Sequence, residues 1–106
     1  LLDQLRLVAW TNNAWDSYVR WQIKDQRTLR LINKLIKAAK NMPFEGIGNP
    51  EPVKNTTGLW SRRINDNNQL VYAVDSRYLT IISLEGYRIN RLRPCKLKDL
   101  EQEIDY

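Results

Sequence analysis

The stretch LWSRRINDNNQLVYAV, Leu59 to Val74, decides the fold. Leu59 to Ile64 is a strand with Trp60 and Ile64 on one face and Arg63 on the other. Asn65-Asp66-Asn67-Asn68 follows, side chains that bond their own backbone and accept turn dihedrals. Beyond it, Leu70, Tyr72 and Val74 alternate with Val71 and Ala73, so the second strand offers apolar side chains to both faces. Asp75-Ser76-Arg77 turns the chain again, and Leu79 to Leu84 supplies a third strand, which makes an antiparallel meander.

Upstream, Gly46, Gly48, Pro50, Pro52 and Gly58 predict an irregular loop, long for so small a domain and therefore a candidate functional segment. Pro43 closes the helix before it. That helix is expected over 26–41, because Leu29, Ile32, Leu35, Ile36 and Ala39 recur at helical spacing. An earlier helix is expected over 12–24, with Thr11, Asn12 and Asn13 as candidate caps and Trp15, Tyr18, Val19 and Gln22 on one face. Arg6 to Trp10 is a short strand candidate. The order β-α-α-β-β-β predicts an α+β fold, a two-helix hairpin packed on one face of a small twisted, mainly antiparallel sheet.

The 106 residues suit a single core, and the net charge of +5 is unevenly spread. Residues 97–106 carry Lys98 against Asp99, Glu101, Glu103 and Asp105, so residues 1–96 carry +8. Such a surface attracts polyanions: nucleic acid first, an acidic protein second. No apolar run is long enough to span a bilayer and no leader pattern opens the chain, so a cytoplasmic protein without membrane contact is expected. Cys95 is the single cysteine and reads as an incidental thiol; with no histidine, a zinc site is not expected.

Several segments share one ordered pattern. They are Trp10, Ala14-Trp15-Asp16, Trp21-Gln22, Ile32 to Lys37, Pro43-Phe44-Glu45-Gly46, Pro50-Glu51-Pro52 with Lys54, Gly58 to Ile64, and Leu70 to Val74. In this series the chain resembles the small basic bacterial toxins of the RelE/ParE superfamily, in the YoeB (Txe) branch. The resemblance covers a domain of residues 1–88 and leaves 89–106 as a C-terminal extension of unknown role. It implies a microbial-ribonuclease-like fold and a metal-independent endoribonuclease without cofactor that cleaves mRNA in the ribosomal A site. It also implies a cognate antitoxin, operator DNA bound only through that antitoxin, and a possible homodimer. Glu51 falls on the family's general base. Lys54, Arg62 and Arg63 fall on positions that bind phosphate or face substrate.

Three positions depart from the family. Gln69 stands where the family places its transition-state arginine. Tyr87 takes the place of the terminal histidine, and Arg88 that of the tyrosine after it. Glutamine brings no positive charge, and a phenol near pKa 10 is a poor acid or base at neutral pH. Loss of one charged donor costs about 2.7–4 kcal/mol of barrier. Relatives in the wider superfamily work with lysine, arginine and tyrosine, so the expected catalytic set is Glu51, Arg63, Tyr87 and Arg88. Lys54, Arg62 and Gln69 are expected to contact RNA. Three readings stay open at this stage: an mRNA-cleaving toxin, active or weakly active, a non-catalytic relative that binds antitoxin or ribosome, and a generic basic nucleic-acid-binding module.

Overall fold

The computed structural model describes residues 6–86. The order is β1 (Leu7–Trp10), α1 (Asn12–Lys24), α2 (Gln26–Asn41), β2 (Glu51–Pro52), β3 (Leu59–Arg63), β4 (Gln69–Val74) and β5 (Tyr78–Ser83). The five strands form one sheet in the order β1-β5-β4-β3-β2. The last four run antiparallel to their neighbours, and β1 lies parallel to β5 at the edge. Both helices pack on one face, as expected. Among the described residues no helix is long and apolar enough to cross a membrane.

Local chemistry explains the helix ends. The Thr11 hydroxyl accepts from Ala14 N and donates to Ile82 O, so one side chain caps α1 and ties it to β5. Asp25 ends α1 and caps α2 in a single residue, its carboxylate accepting from the amides of Arg27 and Thr28. The Thr28 hydroxyl and then its amide hold the Asp25 carboxyl below its usual pKa.

The core lies between helices and sheet. Ile32, Leu35 and Ala39 from α2 meet Ile64, Leu70, Tyr72, Leu79 and Ile81 from the sheet. The apolar face predicted for α2 is the one that packs. For α1 the buried face is Ala14, Ser17 and Trp21, while Trp15 stays 49% exposed and Val19 38%. The small Ala14 and Ser17 let the helix backbone approach the sheet. The bulky Trp15 and Tyr18 stack on each other at its rim, where Trp10 meets Trp15 edge-on and Tyr18 at a tilt. A smaller cluster of Val53, Leu59, Val71 and Ile82 occupies the opposite face, so β4 is apolar on both sides.

The segment expected to be an irregular loop contains a strand. Glu51 pairs with Ser61 and Pro52 with Trp60. Proline lacks the amide donor and is tolerated here because β2 is the sheet edge. A two-residue strand is too short to show any period in sequence.

Candidate active site on the open face of the sheet

The alternation of β3 sorts its side chains. Trp60, Arg62 and Ile64 face the helices, and Ser61 and Arg63 face away. On the far side, a cavity of about 280 Å³ is lined by Glu51, Ser61, Arg63 and Gln69, with Asn49 and the turn residues Asn65, Asp66 and Asn68. Three neighbouring strands supply it. Edge strand β2 brings Glu51 opposite Ser61, and Arg63 of β3 faces Gln69 of β4.

Each wall has a local cause. Asn49 adopts φ 53°, a left-handed conformation that asparagine accepts, and its Nδ2 donates to Glu51 Oε1 at 3.1 Å. Gly48 precedes it with φ +83°; a Cβ there would lie 2.6 Å from Leu35 Cδ2 and 3.0 Å from Arg62 Cβ. This glycine lets the loop slip between α2 and β3, where its carbonyl accepts from Arg63 N at 2.7 Å. At the turn, Asn65 Oδ1 accepts from the amides of Asn67 and Asn68. Asn68 Oδ1 in turn accepts from Gly86 N at 2.9 Å, which brings the end of the described chain to the rim.

The site carries little net charge. Glu51 and Asp66 oppose the cation Arg63, which lies 3.4 Å from Asp66 in an exposed, weak pair. Gln69 is only 8% exposed, yet its Nε2 has no hydrogen-bond partner. A buried N–H donor without a partner is costly, and this one stands in the wall of a cavity. No three His, Cys, Asp or Glu side chains gather as a metal site among the described residues.

The expected site residues are thus divided. Glu51, Arg63 and Gln69 come together. Lys54 is exposed in the turn after β2 and does not line the cavity. Arg62 corrects the expectation of a substrate-facing cation: it is fully buried on the helix side. Its guanidinium donates to Tyr72 Oη and to the carbonyls of Met42, Glu45 and Ile47. Burial pushes the Tyr72 phenol above its usual pKa, and the Arg62 bond and charge oppose that shift. Tyr87 and Arg88 lie outside the described residues. Asn49, Ser61, Asp66 and the asparagines of the turn were not expected in the lining. Ser61 was within reach, since it shares a strand face with Arg63.

The pattern described as the YoeB-like toxin of bacterial type II toxin–antitoxin systems matches residues 10–87. Toxin YoeB of Escherichia coli K12 is 49% identical over 75 residues, covering 70% of this chain and 89% of that protein. Among solved structures, the YoeB dimer from Staphylococcus aureus superposes with a TM-score of 0.74 at 36% identity, over 78% of this chain and 98% of that one. The YoeB–YefM complex from the same organism gives 0.70 at 38% identity, over 77% and 98%. YafQ from E. coli, at 14% identity and a TM-score of 0.59, shares the fold alone. From its core strands to the loop that carries Glu51, this chain belongs to the YoeB-like family of type II toxins.

Proposed function

We propose that this toxin is a metal-independent, ribosome-associated endoribonuclease that cleaves mRNA and is neutralised by a cognate antitoxin. The observation that carries the reading is the meeting of Glu51, Arg63 and Gln69 in one cavity on the open face. Cleavage within RNA needs no outside nucleophile. The 2′-oxygen attacks phosphorus as a base removes its proton. The bond to the 5′-oxygen breaks as an acid protonates it, leaving a cyclic phosphate and a 5′-hydroxyl. Glu51 is the base, oriented by Asn49. Arg63 stabilises the phosphoryl oxygens, and the Gln69 amide donates to one of them or to a base. Lys54 steers the RNA backbone from outside the cavity. Tyr87 and Arg88 complete the set as acid and second cation. They follow Gly86, whose amide is held at the cavity rim by Asn68.

The partners follow from the relatives. A YoeB–YefM complex and a YoeB dimer are both known from S. aureus, so an antitoxin and a homodimer are proposed here, with operator DNA bound through the antitoxin. The cytoplasm is the proposed compartment, because ribosomes and mRNA meet there.

A second reading is a family member that binds antitoxin or ribosome without cutting. It is favoured by Gln69, a neutral amide facing the cation Arg63. Induction in bacteria with mapping of mRNA 5′ ends separates the two. Codon-phased cuts that vanish in Glu51→Gln support the ribonuclease. Growth arrest or antitoxin binding without cuts supports the second reading.

A further inference from the structure

Among the described residues, Arg62 is the largest fully buried side chain. An ionised group persists in such a place only where hydrogen bonds replace its water. Nε donates to Tyr72 Oη at 3.1 Å, Nη1 to Ile47 O at 2.8 Å, and Nη2 to Glu45 O at 2.9 Å and to Met42 O. Tyr72 Oη spends its own proton on Pro43 O at 2.6 Å. One side-chain pair therefore grips the carbonyls of Met42, Pro43, Glu45 and Ile47. Met42 is the C-cap of α2, where the negative end of the helix dipole also favours a cation. The planar fork suits this task because its donors point in several fixed directions.

The gripped segment leads straight to the cavity. Gly48 O accepts from Arg63 N, Asn49 holds Glu51 Oε1, and Glu51 then enters β2. Arg62 itself lies on the opposite face of the sheet from Ser61 and Arg63. We propose that Arg62 and Tyr72 form a clamp beneath the site, positioning residues that fix Glu51 against Arg63 without touching substrate. This role rests on the ribonuclease reading above. An angstrom of drift in a catalytic group is enough to cost about 10²-fold in rate, so a clamp on its loop acts on catalysis directly.

The test compares wild type with Tyr72→Phe and Arg62→Lys, each well below its own melting temperature. Tyr72→Phe keeps the ring in the core and removes both bonds of the hydroxyl. Arg62→Lys keeps the charge and loses the fork. If Arg62→Lys fails to fold, Tyr72→Phe carries the test. The first readout is hydrogen exchange at the Arg63 amide, which reports whether Gly48 is docked. The second is single-turnover cleavage, with RNA affinity measured separately. Arg63 is expected to exchange about tenfold faster, the scale of one or two lost hydrogen bonds, with β4 amides unchanged. Cleavage is expected to slow roughly 10- to 100-fold at unchanged RNA Kd. Unchanged exchange at Arg63 overturns the clamp. So does acceleration of Arg63 and β4 together, which is plain loss of stability, or faster Arg63 exchange with an undiminished cleavage rate. If wild type cuts no RNA, the ribonuclease reading alone fails. The exchange pattern and the carboxyl carbon shift of Glu51 then decide the clamp: both must change in the folded variants, and a Glu51 signal left in place refutes it.

Discussion

Gln69 sits opposite Arg63 across the β3–β4 pair, buried, neutral, and with its amide nitrogen unpartnered. The phosphoryl group of a cleaving RNA gathers negative charge, and an amide dipole answers it less well than a guanidinium. Gln69→Arg breaks no hydrogen bond made by that nitrogen. It is expected to raise single-turnover cleavage by about 10²–10³, the usual value of one preorganised charged donor. An unchanged rate in a folded variant would show that charge at this point does not limit the reaction. Arg62 teaches the converse lesson. Two adjacent arginines looked alike in sequence, although alternation with Trp60 and Ile64 already assigned Arg62 to the core face. Arginine is so seldom fully buried that the alternation was outweighed. Beside the Tyr72 hydroxyl, its partners are main-chain carbonyls at least 15 residues away, and no residue type announces them. Glu51 was legible only through its family motif, because a loop carboxylate between two prolines is otherwise an unremarked surface group.

Among the elements, helix α2 and the hairpin of β3 and β4 were legible because their apolar spacing is strong. The face of α1 was not, since two large aromatics outweighed the small residues that set its approach. The loop before β2 was read as irregular, and its order comes from tertiary contacts. Gly48 is the point where that order is tightest. Gly48→Ala forces a left-handed backbone on alanine and drives a Cβ toward Leu35 and Arg62. The strain of about 1–2 kcal/mol and an overpacking cost of about 1–3 kcal/mol predict a marked loss of stability in urea unfolding. A neutral result would mean that the loop shifts freely at Gly48. Just after β5, Glu85 ties the end of that strand to α1. Its carboxyl is held below the usual range, first by the Ser17 hydroxyl at 2.7 Å and then by Arg20 at 2.8 Å. The folded pKa lies below the unfolded one, so this stabilisation is present above the unfolded value and fades as pH falls through the folded value. The pair is partly exposed and screened, so Glu85→Gln should cost about 0.5–1 kcal/mol at pH 7. The deficit should disappear well below pH 4, where wild type has lost the same charge. An equal deficit at both pH values would assign the effect to packing.

For the whole molecule, charge and shape must be weighed together. The cavity carries one cation against two carboxylates, yet the chain carries +5. On the proposed ribonuclease reading, attraction for RNA comes mainly from the wider surface, and the cavity selects geometry more than it supplies affinity. The acidic residues Asp99, Glu101, Glu103 and Asp105 subtract from that attraction wherever they lie within a Debye length of the bound strand, about 10 Å at 0.1 M salt. Replacing them together by Asn, Gln, Gln and Asn takes the chain from +5 to +9 and leaves its length intact. The variant should bind a short single-stranded RNA more tightly at low salt. The gain should shrink as salt rises, because the added attraction works through the displacement of counterions. Titrations at 50 and 200 mM salt read both the affinity and its slope. A gain that persisted unchanged at high salt would point to new short-range contacts made by the amides. Equal affinity at low salt would place the acidic run beyond the reach of the bound RNA and leave the basic surface of residues 1–96 to recruit it alone.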